Sequence, residues 1–376
     1  MSATDDGVPA TRGRSRWRRA APPRFRPCAR VARTLADLFY LGAAETNAVA
    51  LLFHSHGDDA PSYFPKRWPR VWQAGYVTKL GVPVAPGLAG SVQDVYCVET
   101  GLAQAVMDAG RPLDQLPVDV ASTLRARADA DRERLVALLA PHLPDAAAIP
   151  RRLKLHSEQA RRCLAGASNL LAHATTNAGF VAPLLYAARR AGLAVGALRG
   201  DKDVLLRART AAGEVLRAPD SAVVIAGTGA TTAVLVETET GSASVQRLRA
   251  KVDAWATIAE AHGRAFPAVV ARTIGVAAVD RVQVVVYGPA RLLAQVEAAI
   301  AARCDVRTRG LFRTVRDDVV HARFPAAIVR RNGLVPGTSE RCLAFYRTLF
   351  HAPIAGAVQP SSTRGRPEVR WFPLLS

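Results

Sequence analysis

Two β-branched apolar runs, Ser221 to Ala226 (SAVVIA) and Thr231 to Val236 (TTAVLV), flank the tetrapeptide Gly227-Thr228-Gly229-Ala230. Runs of this kind around Gly-rich turn residues predict two adjacent antiparallel strands joined by a tight hairpin. If Thr228 and Gly229 form the loop, Asp220 lies directly opposite Glu237. Opposed residues share a face, and Glu239 joins them because side chains alternate with period two. Three carboxylates on one face repel one another unless a cation sits among them. Hard oxygen donors on a partly open site suit Mg²⁺ or Mn²⁺. The simpler reading is a hairpin whose acids mark strand ends at the surface. A slip of one residue in the turn would undo the pairing.

The 376-residue length predicts two or three domains. No uninterrupted apolar run reaches about eighteen residues, so no membrane span is expected. The Arg-rich N-terminus lacks the apolar stretch of a secretory signal. Five cysteines, Cys28, Cys97, Cys163, Cys304 and Cys342, show no paired spacing. That argues against a disulfide framework or zinc knuckle and fits a reducing cytoplasm. The net charge is +19, mostly from arginine. No acid falls between Asp6 and Asp37, whereas Arg14, Arg16, Arg18 and Arg19 cluster there around Trp17. Such an arm suits salt-sensitive contact with a polyphosphate backbone; a solvated tail is the plainer alternative.

Residues 1–27 thus read as a disordered basic arm. Within 28–110, helical spacing runs from Cys28 to Leu41 and again from Thr46, a possible N-cap, to Phe53. A basic aromatic stretch follows (SYFPKRWPRVWQ), then strand patterns around Val77 and Asp94 to Val98. Three short helices followed by a two-stranded wing is the order of a winged helix. Lys66, Arg67, Arg70 and Lys79 would be its contacts with double-stranded DNA. Pro65 and Pro69 stand against an uninterrupted third helix. Residues 111–150 read as a helical connector. Residues 151–305 read as a small α/β core, opened by a long helical region, Arg151 to Leu193, that contains His173. That histidine is read as a satisfied core residue rather than a site residue. Residues 306–376 form a basic C-terminal extension with no assigned chemistry. The expected fold class is α+β.

The stretches VWQAGYV, VYCVETGLAQAV, LLAHATTNAGFVAPL and PDSAVVIAGTGATTAVLVETETG, the last leading to RLRAKVDAWATIAE, give residues 30–300 a likeness to a known family. In this respect the chain resembles the replication-relaxation family of plasmid and mobile-element proteins. The resemblance implies a winged helix joined to a restriction-endonuclease-like, PD-(D/E)xK-type core. It implies a role in plasmid replication, DNA relaxation or transfer, with a relaxase or replication protein as partner. By that likeness Asp220 and Glu237 would hold the metal of a Mg²⁺-dependent endonuclease. Glu239 stands where such a core places its catalytic lysine, and Lys251 from the following helix would replace it. Arg247 and Arg249 are nearby phosphate contacts, and Asp201 or Asp203 would add a further carboxylate. A non-catalytic DNA-binding accessory or regulatory factor is the competing reading.

Two other motifs offer different chemistry. His54-Ser55-His56-Gly57-Asp58-Asp59 has part of the spacing of a zinc hydrolase, with His54, His56 and Asp58 as ligands. Asp59 stands where that motif needs a histidine. Ala226 to Thr232 (AGTGATT) is similar to a kinase phosphate-gripping turn, but no Walker lysine follows.

Overall fold

The structure is a computed structural model. It describes residues 25–57, 63–81, 94–164 and 168–317 except 202, 212, 228 and 242, and also residues 329–330, 333–334, 340–341 and 344. The arm arginines Arg14, Arg16, Arg18 and Arg19, and also Asp58, Asp59 and Thr228, lie outside the described residues.

The chain is a mixed α+β fold. Helix α1 (Ala29–Leu41) buries Val31, Leu35, Leu38 and Phe39, the face set by their helical spacing. Strand β1 (Ala43–Glu45), helix α2 (Thr46–Ser55) and helix α3 (Tyr63–Gln73) follow. Thr46 does not cap α2. The cap position belongs to Glu45, and the Thr46 hydroxyl donates to the Asp94 carbonyl at 3.0 Å. Helix α3 forms despite its prolines. Pro65 lies in the first turn, where its missing N–H is no loss, and only Pro69 is interior. Phe64, Trp68 and Val71 anchor α3 in the core. Strands β2 (Thr78–Gly81) and β3 (Asp94–Cys97) complete an antiparallel sheet of order β1-β3-β2.

Helices α4 (Leu102–Asp108) and α5 (Val118–Leu139) lead to α6 (Ile149–Leu164) and α7 (Ser168–Arg190), which divide the expected single helical region in two. Strand β4 (Ala194–Gly200) and a separate hairpin, β5 (Leu206–Thr210) with β6 (Gly213–Arg217), come next. The chain continues through β7 (Ser221–Ala226), β8 (Thr231–Thr238), α8 (Val245–His262), α9 (Phe266–Ile274) and β9 (Arg281–Gly288). Helices α10 (Ala290–Arg303) and α11 (Val306–Arg309) and strand β10 (Phe312–Arg316) follow.

The five-stranded sheet has the order β10-β9-β8-β7-β4. Pairs β4/β7 and β7/β8 are antiparallel, whereas β8/β9 and β9/β10 are parallel. Because β10 belongs to this sheet, the core runs past residue 305, where the sequence placed the start of the basic extension. Val223, Ile225, Val234 and Val236 pack in one cluster with α7, α1 and α2. Ala222, Val224, Ala233 and Leu235 pack on the other face with Leu248, Val252 and Trp255 of α8. Burial on both faces explains why these runs are continuously apolar rather than alternating. Gly200 ends β4 against α1: a Cβ there would lie 2.1 Å from the Tyr40 carbonyl oxygen. Among the described residues no helix is long and apolar enough to cross a membrane.

Candidate functional site

The hairpin has the register that puts Asp220 across from Glu237. Ser221 pairs with Val236 and Ala226 with Thr231, and the Asp220 N–H donates to the Val236 carbonyl at 2.8 Å. The Gly227 N–H to Ala230 carbonyl bond (3.1 Å) closes the turn, so the AGTGATT segment serves as a hairpin. The carboxylates themselves part company. Asp220 precedes its strand, so pleat alternation does not bind its side chain. Its Oδ2 accepts the Thr238 N–H at 2.6 Å and its Oδ1 lies 3.1 Å from His173 Nε2 on α7. Glu237 and Glu239 lie instead beside Leu248, Lys251 and Trp255 of α8. The expected single face for all three acids is therefore not what their side chains adopt.

Glu237 is 1% exposed and has four donors. Its Oε1 accepts from Arg217 Nε (3.0 Å) and Trp255 Nε1 (2.8 Å). Its Oε2 accepts from Arg217 Nη2 (2.9 Å) and lies 3.1 Å from Lys251 Nζ. Lys251 also pairs with Glu239 Oε1. The β5/β6 hairpin delivers Arg217 from the end of β6, and Ser244 fixes the start of α8 by accepting the Arg247 N–H at 3.2 Å. Gly288 is required beside Glu239, since a Cβ there would come within 2.6 Å of the Glu239 carbonyl oxygen.

The charges are mutually satisfied. Burial opposes the Lys251 ammonium, but Glu237, Glu239 and Asp220 outweigh it and hold its pKa above the ordinary lysine value. Burial likewise opposes the Asp220 carboxylate. The bond and charge of His173 and the Thr238 N–H prevail and lower its pKa. The bond to Asp220 raises the His173 pKa against burial.

A divalent cation at Asp220 and Glu237 does not fit this arrangement. The four donors occupy the lone pairs of Glu237. The cavity beside Glu237, Glu239 and Lys251 measures ≈ 10 Å³, with no room for an ion that keeps part of its water shell. Among the described residues no three His, Cys, Asp or Glu side chains form a metal-holding group. The cations that the acids require are Lys251 and Arg217.

Asp220 and His173 open into a different space. A cleft of ≈ 280 Å³ is lined by these two residues with Asn177, Asp201, Arg152 and Arg162. Asn177 donates to the Ser221 hydroxyl at 2.7 Å and fixes the strand start beside Asp220. Asp203, a proposed fourth carboxylate, is engaged by Arg152 Nη1 at 2.6 Å. Arg247 and Arg249 are exposed on α8.

His173 corrects the core-histidine reading: its side chain is 41% exposed and bonded to Asp220. A signal for it lay in the sequence, since His173 and Asn177 are four apart and share one face of an otherwise apolar helix. Arg217 and Trp255 escaped notice because their meeting with Glu237 depends on tertiary placement.

Of the expected DNA contacts, Lys66 and Arg70 are exposed on α3 and Arg67 is half-buried. Lys79 is engaged by Asp94 at 2.5 Å and lies 5.9 Å from the Trp72 ring centroid. The zinc reading fails at the two described residues. His54 is buried against Phe53 and Phe64, and His56 Nε2 lies 2.7 Å from Asp37 Oδ2. Comparison of the chain with family models, with curated proteins and with solved structures finds no match.

Proposed function

We propose that this chain is a DNA-binding protein of plasmid or mobile-element replication, relaxation or transfer. In this reading the N-terminal unit is a winged helix that binds duplex DNA. The sheet that follows is a restriction-endonuclease-like core acting as a DNA-contacting accessory rather than a cutting centre. The observation that carries the reading is Lys251. It rises from the helix after β8 to meet Glu237 of that strand and Glu239 just beyond it, with Asp220 across the hairpin. In this reading the three side chains correspond to the acid, acid and lysine set of a nuclease-like core, closed on itself by Arg217.

The helix-strand-helix-helix-strand-strand order from α1 to β3, with Lys66 and Arg70 exposed on its third helix, supports DNA binding. A second reading, Mg²⁺- or Mn²⁺-dependent nicking, draws on the cleft that reaches Asp220 and His173 between Arg152 and Arg162. It requires Arg217 to release Glu237. A relaxase or replication protein would be the partner in either case.

The test combines salt-dependent duplex binding with a supercoiled-plasmid nicking assay in Mg²⁺ or Mn²⁺, on wild type and Asp220→Ala. The accessory reading expects tight binding that weakens steeply with salt and no nicking by either protein. Nicking by wild type but not by Asp220→Ala would replace it with the enzymatic reading. Weak, salt-insensitive binding by wild type would remove both.

A further inference from the structure

We propose a second ligand site, for a phosphate group, in the cavity of ≈ 340 Å³ between α1 and the free edge of β4. Its charged walls are Arg33, Asp37, His56, His142, Arg189 and Arg199. The volume lies within the range of small-molecule sites. The charges do not cancel. Arg189 forms a bidentate pair with Asp37, at 2.7 Å and 3.2 Å, and also donates to the Ser55 hydroxyl at 2.8 Å. With His56 on the same carboxylate, Asp37 has no charge left to offer.

Arg33 and Arg199 have no carboxylate within ion-pair distance among the described residues. Arg199 is held in place by donating to the Leu198 and Ile274 carbonyls at 3.0 Å and 2.7 Å. Its guanidinium carbon also lies 5.8 Å from the Tyr40 ring centroid. Arg33 is exposed at the rim.

Two uncompensated guanidiniums match a dianion. A phosphate monoester carries close to two charges near neutral pH, whereas a single carboxylate would leave one arginine unanswered. β4 and β7 change register between Val195 and Ala197, an irregularity that includes Gly196 on the cavity wall. The larger cavity at the far end of the sheet, ≈ 760 Å³, is more nearly balanced: Arg264, Arg281, Arg307 and Arg313 share it with Glu260, Asp280 and Asp305.

The phosphate could belong to a free phosphorylated small molecule or to a nucleic-acid backbone. Calorimetric titration of the full chain with inorganic pyrophosphate, and separately with a single-stranded oligonucleotide, distinguishes them. Wild type is expected to bind one equivalent of pyrophosphate. Arg33→Gln should weaken this by about tenfold or more, as for loss of one charge-assisted bond, and Arg33→Lys by less. Arg33 is exposed, so the Arg33→Gln melting curve should match wild type. Arg307→Gln, in the other cavity, should bind pyrophosphate as wild type does.

Loss of pyrophosphate binding in Arg33→Gln with oligonucleotide binding intact assigns the site to a free phosphorylated molecule. Parallel loss of both, with pyrophosphate displacing the oligonucleotide, assigns it to a nucleic-acid phosphate. Equal binding by wild type and Arg33→Gln, no binding by wild type at millimolar pyrophosphate, or equal weakening by Arg307→Gln would overturn the proposal.

Discussion

Replacing Lys251 by methionine tests whether this lysine is the cation that holds the acidic cluster together. The side chain is 14% exposed, and its partners Glu237 and Glu239 are 1% and 4% exposed as residues. At 3.1 Å from Glu237, and an effective dielectric of about 20, the Coulomb attraction is about 5 kcal/mol before desolvation is subtracted. Removing one member of a buried ion pair typically costs about 3–5 kcal/mol, because the other charge stays behind. Glu237 keeps Arg217 and Trp255, whereas Glu239 loses the cation that bridges it to Glu237. The expected loss is therefore near the lower end, about 3 kcal/mol. Urea unfolding at pH 7, followed by tryptophan fluorescence, measures it as a lower midpoint at unchanged slope. In Lys251→Met with Glu239→Gln the stranded charge is gone, so much of the loss should return. The double-mutant cycle should show coupling of about 1 kcal/mol or more. A Lys251→Met cost below about 1 kcal/mol, or simple additivity with Glu239→Gln, would refute the reasoning.

Other outcomes follow from the same structure. The bond to Asp220 raises the His173 pKa, so the histidine's stabilising contribution is complete below its unfolded value near pH 6.5 and fades as pH rises through the folded value. Asp220, whose pKa is depressed, contributes above about pH 4 and loses this as pH falls through its folded value. An NMR titration should place the His173 midpoint above the ordinary value and show it falling in Asp220→Asn; no change in the variant would break the pair. His156 is fully buried with Nδ1 2.9 Å from the Val98 carbonyl, and burial lowers its pKa to about 4. The unfolded chain binds this proton first, so acidifying from about pH 6.5 to 4 should remove about 3 kcal/mol through this group. A His156 resonance titrating near 6.5 would contradict that. Gly288→Ala should cost about 1–3 kcal/mol by pushing on Glu239, read as a lower melting temperature; an unchanged melt would show that the loop yields freely. Deleting residues 1–26 should weaken duplex binding and flatten its salt dependence, and an unchanged slope would sink the arm hypothesis.

The hairpin was legible because its determinants are local. β-branched runs, turn residues and period-two alternation fix which backbone positions of β7 and β8 face each other, and the register follows from four turn residues. The acids were harder to read because alternation governs a side chain only inside a strand. Asp220 lies one residue outside β7, where His173 and the Thr238 N–H set its direction. Arg217 approaches Glu237 from a hairpin that is separate from the main sheet, and Trp255 does so from a helix. No periodicity in β8 announces either of them. Pro65 and Pro69 in the sequence argue against an uninterrupted third helix. Trp68, Phe64 and Val71 show that core packing outweighs a local penalty of this kind.

The four donors around Glu237 have a consequence for the order of events in this molecule's life. A carboxylate cluster that depends on an ion stays incomplete until the ion arrives. This one arrives at charge balance with groups carried by the chain itself, so nothing external is needed to assemble it. Whatever later engages Glu237 must do so by exchange rather than addition. The newcomer, itself a cation or donor, takes the place of Arg217 or Lys251, and the displaced cation is freed for an anion. A phosphate reaching this pole of the sheet would thus meet Arg217 or Lys251 only at the moment an acid finds another partner.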